Sequence, residues 1–408
     1  MRSCFRNSLF VIIAMLLSPP FLANARVKDV PGTRKTDLPL SDFYRVRNGL
    51  PHFYQKIAKR KNVTVAFLGG SITYNPGWRP MVCDYLREQF PGVKFHFIAA
   101  GIPSLGSLPH VFRLQQDVLD SGKVDLLFLE AAVNDRVNGT DSLAQIRDLE
   151  GIVRHAKRSN PDTDMVLMEF ADPDKNKDYN EGKIPVEVKN HELVAAHYQI
   201  PSINLAKEVH DKIALHEFSW EKDFKDLHPS PFGQRLYFEN IKSLLADCLK
   251  NGRSAPNTPL PPPLDAHSFA GGTYVDVAKA KYTSGWQLVA DWVPADAAGT
   301  REGFVHIPVL ANTTPGEELT LTFGGTAVGI AVVSGPDAGI ISYRVDESPE
   351  KTIDLFTEWS SGLHLPWYLL LTSALPPGNH TLHIKVQKNH NFNSKGSVCR
   401  IVHFLVNK

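Results

Sequence analysis

The sequence predicts a three-layer α/β/α domain on a parallel sheet, followed by an all-β sandwich or jelly roll. Three observations carry this. Between residues 63 and 250, β-rich runs alternate with segments of helical spacing. The stretch 251–265, NGRSAPNTPLPPPLD, holds five prolines. Beyond it helical periodicity fades, and Gly, Thr, Val and Trp recur between turn signals.

The alternation implies βαβ units, whose helices cover both faces of a parallel sheet. In order, strands are expected at 63–69, 94–100, 124–133, 164–170 and 202–205. Helices are expected at 78–90, 109–120, 142–158, 186–198 and 232–249. The helix at 78–90 stops before Pro91; that at 109–120 spaces Val111, Leu114, Val118 and Leu119 along one face. The proline-rich stretch reads as a stiff, extended linker. In the last segment, 319–323, 328–333, 340–345 and 381–386 read as strands. Turn signals Pro315-Gly316, Pro336-Asp337 and Pro377-Gly378 punctuate them. The expected organisation is a signal at 1–25, a lead-in at 26–60, a catalytic domain at 61–250, the linker at 251–265 and a β domain at 266–408.

A chain of 408 residues suits two domains. Its net charge of +1 offers no general attraction to nucleic acid or to an anionic membrane. Arg2 and Arg6 precede an apolar stretch at 9–17, and Ala23-Asn24-Ala25 supplies an A-x-A cleavage site. This reads as a secretory signal, too short to span a bilayer, so the protein is expected to be secreted or periplasmic. After it remain Cys83, Cys248 and Cys399, an odd number with no C-x-x-C pair. No H-E-x-x-H, P-loop or dinucleotide fingerprint occurs, and Gly324-Gly325-Thr326 precedes a strand rather than a helix. Neither metal nor cofactor is expected.

The chemistry-bearing residues fall at strand ends. The run FLGGSIT (67–73) closes the first strand with two glycines and Ser71. Ligands of open parallel sheets bind beyond the carboxyl ends of the strands. Glycines there leave a serine hydroxyl accessible, although a turn serine can equally cap a helix. A hydroxyl nucleophile needs a base. His228, in Asp226-Leu227-His228-Pro229, can be one, with a carboxylate nearby to orient its ring. An acyl oxyanion needs donors. Asn134, after a long apolar run, and the backbone of 101–104 can provide them.

Together these stretches resemble the SGNH hydrolase family, also called GDSL esterases. GGSIT is similar to the first family block, with Gly70 where Asp usually stands. AGIPSLGS is similar to the second, AVND to the third and HPSPFG to the fifth. The likeness covers roughly residues 60–250. It implies Ser71 as nucleophile, His228 as base and then acid, and Asn134 with the N–H groups of Ser71 and Ser104 as the oxyanion hole. Ser104 replaces the usual Gly, and the neighbouring Gly101 either contributes to the hole or relieves crowding. The pattern places Asp three residues before His, where this chain has Lys225. Asp226 is favoured as the acid, with Asp223 as the alternative. Arg79 reads either as a substrate contact or as a solvent-facing helix residue. Glu130 reads as a buried carboxylate paired with a cation such as Arg113, and Asp135 as a residue that fixes the Asn134 loop.

Tryptophans 286, 292, 359 and 367 in the β domain are either core or platforms for sugar rings. His364 and Trp367 are candidates for a wall over the site. The expected function is deacylation of carbohydrate, most simply removal of O-acetyl groups. The rival expectations are an inactive carbohydrate-binding protein, an O-acyltransferase and a lipase.

Overall fold

The computed structural model describes residues 38–251 and 259–408. The expected signal, part of the lead-in and residues 252–258 of the linker lie outside them.

A six-stranded sheet organises the first half, in the order β1-β6-β5-β4-β2-β3. Its strands are β1 (Tyr44–Arg45), β2 (Asn62–Gly69), β3 (Lys94–Gly101), β4 (Leu126–Glu130), β5 (Asp164–Glu169) and β6 (Ser202–Asn204). All pairs are parallel except the short β1 edge. The central strands β4 and β5 are buried at every position. This is why their sequences read as unbroken apolar runs and not as alternation. The chain order reverses between β2 and β4, so the residues following these two strands meet at the switch point.

Among the described residues, ten α-helices join and cover the strands: α1 (Pro51–Ala58), α2 (Ser71–Tyr74), α3 (Trp78–Gln89), α4 (Ser107–Asp117), α5 (Ala132–Val137), α6 (Ser142–Ser159), α7 (Pro173–Asn180), α8 (Val186–His197), α9 (Leu205–Ala214) and α10 (Pro231–Lys250). Two apolar cores lie on the two faces. One joins α1, α3, α9 and α10 through Phe53, Trp78, Leu86, Val209 and Tyr237. The other joins α4, α6 and α8 through Val111, Phe112, Leu149, Ile152 and Val194.

The expected strand at 124–133 is shorter. β4 ends at Glu130, and the apolar tail that follows opens α5. Short apolar runs do not distinguish strand from buried helix by period alone. Helices α1, α2, α5, α7 and α9 lie outside the expected helical ranges. The polar sequence of α7 hides its helical period, but Asp172 caps it by accepting from the Lys175 N–H, with Pro173 at the first helical position.

The second half has twelve strands. They are β7 (Gly272–Asp276), β8 (Lys281–Tyr282), β9 (Trp286–Trp292), β10 (Gly299–Thr300), β11 (Ile307–Asn312), β12 (Glu318–Gly325), β13 (Ala327–Ser334), β14 (Ile340–Val345), β15 (Lys351–Asp354), β16 (Leu363–Thr372), β17 (Gly378–Val386) and β18 (Cys399–Asn407). They form a seven-stranded and a five-stranded sheet. Leu321, Ile330, Phe404 and Leu382 pack in the core between them. This is the expected β-sandwich.

The two halves are bonded through apolar surface. Ala327, Ala331 and Leu405 of the sandwich join the α4–α6 core, and the Phe112 and Phe269 rings lie 5.6 Å apart. The described end of the linker is strapped down. Arg154 donates to Pro261 O at 2.8 Å, and Glu150 accepts from the Asp265 N–H at 3.0 Å.

Candidate active site

Ser71 opens α2 immediately after β2, and its Oγ lies 2.8 Å from His228 Nε2. The two residues are 157 positions apart in sequence. Asn134 stands in the first turn of α5, after β4, and is 8 % exposed. A Cβ built on Gly70 would lie 2.1 Å from Asn134 Oδ1. A side chain at this position would displace the Asn134 amide from the Ser71 peptide. A Cβ on Gly101 would lie 2.4 Å from Tyr74 N. Gly101 serves to let α2 pack against the end of β3, which is the crowding alternative of the two readings.

Ser104 adopts φ +72°, the left-handed region. Such a conformation costs a residue with a Cβ roughly 1–2 kcal/mol, which accounts for glycine in the family pattern at this place. Asn138, capping α5, donates from Nδ2 to Ser104 O at 3.0 Å. The helix that carries Asn134 thus also grips the Ser104 peptide.

Beneath these loops lies Arg113, which is fully buried. Its Nη2 donates to Ala100 O at 2.6 Å and Gly69 O at 3.3 Å, and its Nη1 pairs with Asp117 at 2.7 Å. One cation thus ties together the ends of β2 and β3, which lead to Ser71 and to the 101–104 loop. Its Nε donates to His110 Nδ1 at 3.2 Å. Burial, and then the charge of Arg113, hold His110 well below the usual imidazole range, so the ring stays neutral and accepts. Glu130 does not pair with Arg113. Its Oε1 accepts from Val133 N at 3.1 Å, and burial pushes its carboxyl up to about 7.

His228 is placed by a loop that ties itself together. A π-helical turn (Trp220–Phe224) ends at Lys225, which has φ +80°. Ser230 N donates to Phe224 O at 2.9 Å, and the buried Phe224 ring packs on Trp220 and Tyr237. Asp223 Oδ2 accepts from Ser219 N at 2.8 Å, so this carboxylate is spent closing the turn. Asp226 is exposed and makes no hydrogen bond to His228, and among the described residues the ring's only hydrogen-bond partner is Ser71.

The other candidates separate. Arg79 donates to the carbonyls of Thr73 and Tyr74 at 3.0 and 3.3 Å, closing the C-terminus of α2. His364 is 2 % exposed and is held by Asp296 at 2.9 Å, inside the β domain and not over the site. Trp367 lines a cleft of about 390 Å³ between the domains, together with Ser104, Asn138, Thr140, Asp148 and Tyr368. The β domain also reaches the site through residues the sequence had not marked. Arg301, following β10, has its backbone N–H on His364 O at 3.2 Å and points Nη2 at Ser104 Oγ, 3.4 Å away. Its neighbour Glu302 accepts from the Tyr74 hydroxyl of α2. Among the described residues no group of three or more His, Cys, Asp or Glu side chains could hold a metal ion, and no helix is long and apolar enough to cross a membrane.

A serine hydroxyl, an imidazole and two candidate donors thus converge at the switch point. Residues 67–236 match the GDSL-like lipase/acylhydrolase family. This segment is a GDSL-like ester hydrolase domain. No curated protein matches the chain. Two solved structures are similar over both halves. One is a two-domain esterase (CEX) active on acetylated mannans, co-crystallized with mannopentaose. It has a TM-score of 0.74 and 19 % identity, covering 91 % of this chain and 99 % of that one. A second structure of that esterase gives 0.73 and 19 %, covering 90 % and 98 %. At that identity the likeness is one of fold. The GDSL-like domain and the sandwich thus recur together as a two-domain architecture.

Proposed function

We propose that this protein is an exported serine esterase that removes acetyl groups from a carbohydrate. The reading rests above all on the 2.8 Å approach of Ser71 Oγ to His228 Nε2 beside Asn134. In it, Ser71 Oγ attacks the acetyl carbonyl carbon while His228 Nε2 takes its proton. The N–H groups of Ser71 and Ser104 and the Asn134 side-chain amide hold the oxyanion. His228 then returns the proton to the departing sugar hydroxyl, and water releases acetate by the reverse sequence. Asp226 makes no hydrogen bond to the ring, so the pair works almost as a dyad.

The substrate class is supported by the inter-domain cleft beside Ser104. Its half-buried Trp367 offers an apolar face to the C–H side of a sugar ring. The architecture shared with an esterase active on acetylated mannans points the same way. Export rests on the N-terminal pattern at 1–25. Acetate release from acetylated mannan and acetylated xylan tests the proposal. Ser71→Ala is expected to lower kcat at least about 10³-fold with an unchanged melting temperature. Undiminished acetate release by that variant would reject it.

A further inference from the structure

The buried ionisable groups behind the oxyanion donors are not used by the proposed chemistry, and their hydrogen bonds do not balance if all are charged. Ser107, Asp135 and Asp148 are each 0 % exposed. Ser107 Oγ lies 2.9 Å from Asp135 Oδ1 and 3.0 Å from Asp148 Oδ2. A serine hydroxyl has one proton to donate, yet two carboxylate oxygens sit at hydrogen-bond distance. One of the two contacts needs a proton from a carboxyl group.

The surroundings say which. Asp135 Oδ1 also accepts the Ser107 N–H at 2.7 Å, at the N-terminus of the eleven-residue α4, where a negative charge is favoured. Each carboxyl leaves one oxygen buried without a partner, Asp135 Oδ2 and Asp148 Oδ1, but Asp148 lacks the second donor that the Ser107 N–H gives Asp135. A bare oxygen is far less costly on a neutral acid than on a carboxylate.

We infer that Asp148 is a neutral acid that donates to Ser107 Oγ, which in turn donates to the Asp135 carboxylate, and that this relay positions the oxyanion hole. Asp135 follows Asn134 in α5. Ser107 lies three residues after Ser104, and Asp148 anchors both from α6. The relay therefore fixes the spacing between the Asn134 side chain and the Ser104 N–H. Burial raises both carboxyls, Asp135 to about 7, where its two Ser107 hydrogen bonds hold it down, and Asp148 well above the usual carboxylate range, where the charge of Asp135 adds to the effect.

Other charges face the pair. Arg147, which is ion-paired to Asp265 at 3.1 Å, and the helix cap Asp141 face Asp148; Glu187 of α8 and Lys175 of α7 face Asp135. Cations and anions are balanced around the pair, so none of these neighbours removes the need for a shared proton. Raising the pH strips that proton and leaves two facing carboxylates with one hydroxyl between them.

The inference rests on the proposed esterase reading, and the test separates the two. Hydrolysis of 4-nitrophenyl acetate, abolished by Ser71→Ala, tests the reading. For the relay, kcat and melting temperature are followed from pH 6 to 10 in the full chain, as wild type, Asp148→Asn and Asp148→Ala. An Asn amide keeps the donor to Ser107 without titrating. It is expected to keep kcat within about twofold at pH 7 and to abolish the alkaline loss of kcat expected of wild type. The folded-state pKa of Asp148 is raised, so wild type loses stability as pH rises above the unfolded carboxyl value. The Asn variant is therefore expected to melt above wild type at pH 8. Asp148→Ala lowers kcat about tenfold with little change in KM. Superimposable pH profiles for wild type and Asp148→Asn, or an Asn variant that melts lower at pH 8, overturns the relay. The melting comparison decides it even where the esterase reading fails.

Discussion

The two flanks of the site are built by different means. On the serine flank, Ser71, Ser104 and Asn134 come from the ends of three neighbouring strands. They are fixed from below by the buried Arg113, by the Tyr74 backbone lying against Gly101 and by the Asn134 side chain lying against Gly70. On the histidine flank, one exposed loop holds His228 through local hydrogen bonds and a single aromatic anchor, Phe224. Packed interiors transmit small displacements, whereas loops absorb them. The serine flank should therefore be intolerant of added atoms, and the histidine flank forgiving.

Among the residues that support the site, the strongest expected effect is at Gly70. In Gly70→Ala the new methyl would sit 2.1 Å from Asn134 Oδ1, so the asparagine or the Ser71 peptide must move. Displacements near 1 Å cost about 10²-fold in rate. The loss is expected in kcat for 4-nitrophenyl acetate, with KM and fold retained. A variant within threefold of wild type would mean that Asn134 takes no part.

On the other flank, Asp226→Asn is expected to lower kcat less than about tenfold. A hydrogen-bonded triad carboxylate accounts for about 10⁴-fold, but Asp226 makes no hydrogen bond to His228. A loss near that figure would show that the loop closes on substrate and completes a triad.

The contrast also marks what could be read in the sequence. The parallel sheet was legible because β4 and β5 are buried on both faces, Ser71 and Asn134 because they end such runs with polar groups, and His228 because it opens the HPSPFG stretch before the last helix. The supports were not. Arg113 looks like an ordinary helix residue, and nothing in its spacing shows that its guanidinium turns inward to strand-end carbonyls. Asp148 is one of two acids on α6; only its meeting with Ser107 and Asp135, 41 and 13 positions away, gives it meaning. Arg301 reaches Ser104 across 197 residues through a two-stranded pairing of β10 with β16. The β10 segment has no period to reveal it.

The smallest expected effect tests both flanks at once. Each carries one residue other than glycine at positive φ beside the chemistry, Ser104 at +72° and Lys225 at +80°. Glycine relieves such strain but returns part of the gain as unfolded-chain entropy, leaving about 0.5–1 kcal/mol. Lys225 is exposed and its side chain makes no hydrogen bond among the described residues, so Lys225→Gly should gain that amount in full, measured by denaturant midpoint. Ser104→Gly also loses the 3.4 Å contact to Arg301 and should gain less. Its esterase rate should stay near wild type, because the backbone N–H remains. If Ser104→Gly proved the more stabilising of the two, strain rather than side-chain bracing would dominate the serine flank, reversing the contrast.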